Sequence, residues 1–567
     1  MTNLKEFLYL LKPYKRKISF AFIAILMANL LGLAFPWVIK IVIDDIVVKK
    51  DIYLLNIITI GLVLVFILKS YFGYMREYMA SFVGEKVVYD LRRKIYAHLQ
   101  RLSVKYIEDT STGKMISGII GDTDSIRQFL FGGAIDFIYS FLNIIFVLCI
   151  LFALDWRLTL LSIVYLPIFG VTFFKLTPKL KERHMAVRER YAELTTRLNE
   201  VFRGIRVVAG FSREAHESDK FNFKQKEIFK LSMGSHSLEI MLWMFSEFIS
   251  SLGLITLVWF GVNAVFSGRI TTGTLMAFYS YLGMLFFPII KMVIINSYYQ
   301  EAAASMERIR GILVEEPQIK QSSRPVFLDT VKGNISFRNV SFSYDGGKEI
   351  LSDVDFDVKG SEIVAIAGKS GAGKTTLINL LLRFYEPTKG AIFIDGHNLK
   401  DLELESYRSK IGIVLQDDYL FSGTIKENIL YGKPDASMQD IIDVAKLAAA
   451  HEFIICLAGG YDSEIGERGI KLSYGQRQRI SIARAILRDP DILILDEATS
   501  SVDSETERLI IERAFRNLMS GRTTFIISHR LAAIDYADKI MFVEDNKIRK
   551  TIKPAELLDK KENYQRI

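Results

Sequence analysis

The chain has 567 residues, of which 50% are hydrophobic and 24% charged, with a net charge of +8 and a pI near 9.0. At ~100–200 residues per domain, one small domain is excluded. The positive charge shows no basic stripe interleaved with aromatics, which argues against nucleic acid as a partner, and two cysteines without a CxxC pair, Cys149 and Cys456, argue against a zinc or disulfide framework.

In chain order, Leu4, Phe7, Leu8 and Leu11 recur at helical spacing in a basic N-terminal stretch. That pattern predicts a helix lying along a membrane surface, with no cleavable signal peptide evident. Six apolar segments follow, at 18–43, 54–80, 132–154, 158–177, 240–266 and 274–299. Each approaches or exceeds the ~20 residues needed to cross a bilayer core. The connectors after the first, third and fifth are short. Those after the second and fourth are long and basic, with Arg92, Arg93, Lys94, Arg101 and Lys105 in one and Arg183, Arg188, Arg190, Arg203 and Arg206 in the other. The bias places the long connectors, the N-terminus and the C-terminal half on the cytosolic side.

The long connectors read as helices. Val87, Val88, Leu91, Ile95 and Leu99 recur every three to four residues, and 191–208 behaves likewise. Polar turns fall near 110–114 and 210–214. A helix through Met306, Ile309 and Leu313 ends before Pro317, and the stretch QSSRP marks a linker. From about Gly333 short β-rich runs alternate with helices, the pattern of a P-loop α/β domain. The expected organisation is a transmembrane domain over 1–315, a linker over 316–333 and a nucleotide-binding domain over 334–567.

The strongest chemical motif is GKSGAGKT, comprising Gly368, Lys369, Ser370, Gly371, Ala372, Gly373, Lys374 and Thr375. It follows an apolar strand, EIVAIA, and opens a helix, TLINLLLRF. This is the context in which glycines free backbone N–H groups to cradle phosphates at a helix N-terminus. Lys374 is then expected to reach the β- and γ-phosphates, and Thr375 to bind Mg²⁺. A second motif, ILILDE, ends an apolar strand in Asp496 and Glu497. Carboxylates there are costly unless they meet a cation or hydrogen bonds. Asp496 suits the Mg²⁺ shell, and Glu497 is placed to polarise the attacking water.

Between these motifs lies LSYGQRQR, and here the chain resembles the ATP-binding-cassette (ABC) family, whose signature is LSGGQ. The resemblance extends to Tyr344 in FSY, Gln416 in VLQDDYLFSGTIKENI, SEIGERG, EATSSVD and His529 in IISHR. In the membrane half, YIEDTSTGKMIS and GIRVVAGFSRE look like the two cytosolic turns of the exporter branch. The resemblance covers the whole chain as a half-transporter. It implies a multi-domain fold: an all-α six-helix transmembrane domain, then a P-loop α/β ATPase with a β-rich subdomain and an α-helical signature subdomain.

It also implies residue roles. Tyr344 would stack on adenine, and Thr376 would complete the P-loop contacts. Gln416 would sense Mg²⁺ and the γ-phosphate. His529 would hold the γ-phosphate and join Glu497 and Lys374 in catalysis. Ser473, Tyr474, Gly475 and Gln476 would face the ATP of a partner chain, and Asp503 would couple the two sites. The cytosolic turns would dock on the ATPase domains and transmit their motion. The implied cofactors are ATP and Mg²⁺, and the implied partner is a second half-transporter chain. One departure is Tyr474, where the family usually has Gly. A heterodimer with one weakened site and a homodimer with two tolerant sites both suit it. The intact remaining motifs lean towards the homodimer.

For the transported molecule the sequence offers Lys69, Glu247 and Lys291, ionisable residues inside apolar segments. If Lys69 and Lys291 face a cavity, they would hold an anionic head group. Snorkelling, or an internal pair, is the competing reading. The aromatic and Met content of the last two segments suits lipid contact or a hydrophobic or amphipathic drug or lipid substrate. The expected function is ATP-driven outward export. An anionic-lipid flippase, or an ATP-gated regulator or channel, are alternatives on the same scaffold. Hydropathy and charge bias predict a multi-pass protein of a bacterial plasma membrane, with its ATPase domain in the cytoplasm.

Overall fold

The computed structural model describes residue 7 and residues 9–344, 347–369, 371–415, 418–496, 513–527 and 537–554. The chain forms two compact units. One joins Met1–Gln100 with Ser111–Glu315, and the other joins Arg101–Thr110 with Glu316–Ile567.

Helices are the only regular secondary structure among the described residues of the first unit. Its main helices are α1 (Lys15–Gly32), α2 (Ala34–Ile41), α3 (Ile52–Leu99), α5 (Ile135–Leu154), α6 (Trp156–Ile163), α7 (Tyr165–Arg203), α8 (Glu214–Phe266) and α9 (Thr272–Val314), while the short α4 (Val104–Asp109) belongs to the second unit. At about 1.5 Å per residue, the 48 residues of α3 span roughly 72 Å, well beyond a bilayer core of about 30 Å. Its two ends differ in kind. Ile60, Val63, Leu64 and Ile67 are exposed, as lipid-facing residues would be, whereas Val87, Val88, Leu91, Ile95 and Leu99 are buried. The recurrence read from sequence is thus the packed face of a helix that runs on past its apolar half.

Among the described residues, five helical stretches are long and apolar enough to cross a membrane: Tyr9–Lys49, Ile52–Leu99, Thr112–Leu154, Glu214–Phe266 and Thr272–Ile289. The segment expected at 158–177 falls partly outside the described residues, in its side chains at 166, 169, 173 and 174, and a one-residue turn at Val164 divides it into α6 and α7. Pro167 accounts for the break. A proline cannot donate to the carbonyl four residues earlier, here that of Ile163, where α6 ends. The same relation holds between Pro36 and Gly32, where α1 ends and α2 takes over.

Helices α5, α8 and α9 share a core of Val147, Leu151, Leu257, Phe278, Tyr281 and Leu285, with Leu33 and Leu158 at its edge. The three short connectors are tied together by two carboxylates. Asp44 accepts from the Gly273 N–H at 2.9 Å and the Thr271 hydroxyl at 2.5 Å, and pairs with Lys40 at 3.3 Å. A Cβ on Gly273 would lie 2.6 Å from the Asp44 Oδ1, so only glycine admits this approach. Asp155 caps α6 through the Arg157 and Leu158 amides and pairs with Arg269 at 3.0 Å. Segment 267–273 therefore holds both other short connectors.

The second unit has two sheets. One is four-stranded and antiparallel, in the order β2 (Leu351–Val358), β1 (Ile335–Phe342), β4 (Lys389–Ile394), β5 (His397–Asn398). The other is six-stranded, in the order β10 (Lys547–Ile552), β9 (Lys539–Glu544), β3 (Ile363–Ala367), β8 (Thr523–Ile527), β7 (Ile492–Asp496), β6 (Ile411–Val414). It is parallel except for β10. Every residue of β8 is buried, as expected for a parallel sheet covered on both faces. A second core packs Ile425, Ile429, Ile441, Ile454 and Ile480 against Val414, Leu493 and Leu495 of the parallel sheet and carries α11 (Tyr474–Arg488), which follows α10 (Lys374–Leu381) in chain order.

Helix α10 stops short of the expected TLINLLLRF. Arg383 has φ of +51° and is 2% exposed. Its guanidinium donates to the carbonyls of Leu402, Lys400 and Lys320 at 3.0, 2.9 and 3.2 Å. This buried charge, shared among three carbonyls, ties linker residue Lys320 to Leu402 and Lys400 of the second unit and holds the turn that ends α10.

Candidate ATP site and membrane charges

Strand β3 runs into the glycine-rich loop at the C-terminal edge of the parallel sheet, where open α/β sheets place their ligand sites. Gly368, Gly371 and Gly373 have φ of +153°, +81° and +103°, conformations that L side chains rarely adopt. Contact adds a second constraint. A Cβ on Gly368 would lie 2.4 Å from the Val543 carbonyl, and one on Gly373 3.1 Å from that of Ile350. The loop then turns through the Ala372 N–H to Lys369 carbonyl bond at 3.1 Å and enters α10. Gly368→Ala is expected to distort this loop and lower ATP affinity at least about tenfold, at a strain of about 1–3 kcal/mol. Nucleotide titration of the full chain measures it.

Lys374 is 7% exposed, and its ammonium donates to the carbonyls of Gly368 and Lys369 at 2.7 and 3.1 Å. Its charge therefore lies against the glycine-rich loop. Thr375 is exposed and Thr376 buried. The Tyr344 hydroxyl lies 3.3 Å from the Thr376 Oγ1, and its ring packs edge-on against Phe342 and Tyr385. Tyr344, Thr376 and the P-loop thus come together. Asp496 closes β7 in register with Ile527, the last residue of β8. Ser370, Gln416, Glu497, Asp503 and His529 lie outside the described residues.

For a divalent cation, Thr375 and Asp496 offer hard oxygen donors of the type Mg²⁺ takes, and a nucleotide's phosphates would complete the shell. Among the described residues, no three His, Cys, Asp or Glu side chains cluster as a metal cage.

The signature segment caps α11. The Ser473 Oγ accepts from the Gln476 N–H at 3.2 Å, and the Gln476 Oε1 accepts from the Ser473 N–H at 2.9 Å. This capping box presents a helix N-terminus, favourable to an anion. Tyr474 is the first helical residue, so the backbone there imposes no need for glycine. Its ring lies 5.8 Å from the Arg477 guanidinium, one turn on. Gly475 is buried.

The three membrane candidates have separate surroundings. Lys69 packs beside Gly32, with its ammonium 5.7 Å from the Phe66 ring centre. Lys291 pairs with Asp136 at 2.8 Å, and Glu247 is exposed on α8. The rule that selected them also applies to Arg76 and Asp136, each inside or beside an apolar segment and left out above. Arg76 pairs with Glu77 and lies 4.4 Å from the Tyr139 ring centre. Its Nε is buried without a hydrogen-bond partner. Nearby polar groups are buried too: Asn143 donates to Asn29 at 3.1 Å, and the Ser140 hydroxyl has no partner.

Comparison with known proteins agrees with this layout. Residues 18–289 match the ABC transporter transmembrane region, and residues 351–500 match the ABC transporter ATPase family. A Bacillus subtilis protein provisionally named a multidrug export ATP-binding/permease protein is 36% identical, over 100% of this chain and 99% of its own length. The ATP-dependent lipid A-core flippase of Syntrophus aciditrophicus is 34% identical, over 100% of this chain and 94% of its own. Among solved structures, an ATP-bound bacterial Atm1-family ABC exporter superposes with a TM-score of 0.79 at 28% identity, covering 96% of each chain. The chain belongs to the ABC transporter family, as an integral membrane half-transporter that couples ATP hydrolysis to export.

Proposed function

We propose that two copies of this chain form a homodimer in a bacterial plasma membrane and export an amphipathic molecule, a drug or a lipid. The names of the relatives favour this range, since one is assigned to multidrug export and another to lipid A-core flipping. ATP is bound between the P-loop of one copy and the Ser473 to Gln476 cap of the other. Tyr344 receives the adenine, and Lys374 with the loop amides receives the phosphates. Mg²⁺, held by Thr375, Asp496 and Gln416, supplies charge neutralisation at the phosphates. Glu497 orients and polarises the attacking water, while Lys374 and His529 stabilise the charge that develops on the transferred group. Asp503 relates one site to its twin. Closure of the two ATPase units passes through the cytosolic turns to the membrane helices.

The observation that carries the choice of an amphipathic cargo is Arg76. A guanidinium with a buried, unpartnered Nε inside an apolar segment is costly, and is relieved by an anionic or strongly polar head group. Lys291 pairs with Asp136 and Arg76 with Glu77, so what Arg76 offers a head group is its unpartnered Nε–H rather than an unbalanced charge, and Lys69 offers an ammonium. The test is ATPase activity of reconstituted protein across a panel of anionic lipids, zwitterionic lipids and cationic drugs. Stimulation by anionic lipids that Arg76→Ala abolishes supports a lipid-exporting reading. Stimulation only by drugs, insensitive to Arg76→Ala, removes Arg76 from substrate binding. ATP-independent ion current would favour a channel.

A further inference from the structure

Within the second unit, an unbroken series of contacts joins the adenine platform to α4. Tyr385 follows the turn that ends α10 and is 8% exposed. Its ring meets that of Tyr344 edge-on, with centroids 5.1 Å apart and planes at 88°. The Phe342 ring lies 5.6 Å from that of Tyr385 and 4.8 Å from that of Tyr344, so the three rings form one triangular cluster. The Tyr385 hydroxyl donates to the Glu108 Oε2 at 3.3 Å. Glu108 lies in α4, part of the connector that follows the second apolar segment, and the stretch Arg101–Thr110 clusters with the ATPase unit.

The three side chains differ in freedom. A ring that touches two others in a close-packed cluster cannot tilt without moving them. Tyr344 also touches Thr376 of the P-loop helix. A base stacking on Tyr344 therefore fixes a ring whose edge bears on Tyr385. Burial and the neighbouring carboxylate of Glu108 push the Tyr385 phenol up to about 12. It keeps its proton at neutral pH and remains a donor to Glu108.

We propose that Tyr385 is a positioning residue that links base binding at Tyr344 to α4 through Glu108. The proposal rests on the reading of Tyr344 as the adenine platform. It assigns the purine a task beyond affinity: the base, rather than the phosphates, sets the position of the connector from the membrane half.

Amide hydrogen exchange of the full-length protein in lipid nanodiscs tests this, with ATP and chelator present so that no turnover occurs. ATP is expected to slow exchange over 104–109 about fivefold or more, within the usual range of coupling between sites. Inorganic tripolyphosphate is expected to slow 371–376 but not 104–109. In Tyr385→Phe, which keeps the ring and loses the hydroxyl, the response of 104–109 should disappear while that of 371–376 persists, which also shows that the variant folds. Glu108→Ala should reproduce the loss, and Glu108→Gln, whose amide oxygen still accepts from the hydroxyl, should restore the response. A full response of 104–109 in Tyr385→Phe, with ATP affinity still weakened by Tyr344→Ala, overturns the link and leaves the adenine platform standing. An equal response of 104–109 to tripolyphosphate and ATP, with ATP affinity unchanged in Tyr344→Ala, overturns both.

Discussion

Glu497→Gln should lower ATP turnover between about a hundredfold and ten-thousandfold, the range lost when a positioned general base is removed. Gln keeps the size of the side chain and loses its negative charge. In the proposed site, nucleotide binding rests on other groups: the Gly368 to Gly373 loop, Lys374 and the Tyr344 ring. ATP affinity should therefore stay intact, and the variant should accumulate with ATP bound. Single-turnover hydrolysis alongside equilibrium binding separates the two effects. Near-normal hydrolysis would remove Glu497 from its role and turn attention to His529.

Lys374→Ala attacks both quantities. The ammonium is nearly buried over the loop, held by the Gly368 and Lys369 carbonyls. Its removal leaves phosphate charge facing backbone dipoles alone. ATP affinity should fall at least about thirtyfold, corresponding to about 2 kcal/mol or more for one partner of a buried charge-assisted contact. Turnover should fall further, because the same charge stabilises the transferred phosphoryl group. An unchanged ATP affinity would place the phosphate cradle elsewhere.

Much of this layout was legible in the residues. The spacing of Val87, Val88, Leu91, Ile95 and Leu99 marked a packed helical face because burial on one side of a 3.6-residue repeat leaves that trace. The P-loop was legible because its glycines are demanded by backbone geometry and close approach together. The break at Val164 was not, because apolar residues run straight through it. Only Pro167 signals it, yet Pro178 and Pro288 sit inside α7 and α9 without ending them. Arg383 was illegible for another reason. It reads as the tail of an amphipathic helix, and its left-handed turn is fixed by carbonyls from distant parts of the chain. The link from Tyr344 through Tyr385 to Glu108 also spans positions far apart in sequence, where no local pattern joins them. The membrane charges were only half legible: the rule that selected Lys291 could not show that Asp136 answers it.

The two carboxylates that gather the short connectors limit how the face they form can widen. Asp44 and Asp155 each grip the same seven-residue stretch from different directions, and neither bridges to the other. That stretch cannot move outward evenly while both grips hold. An aperture opened between these connectors would have to release one grip or the other, and its two rims would then carry unequal numbers of helices.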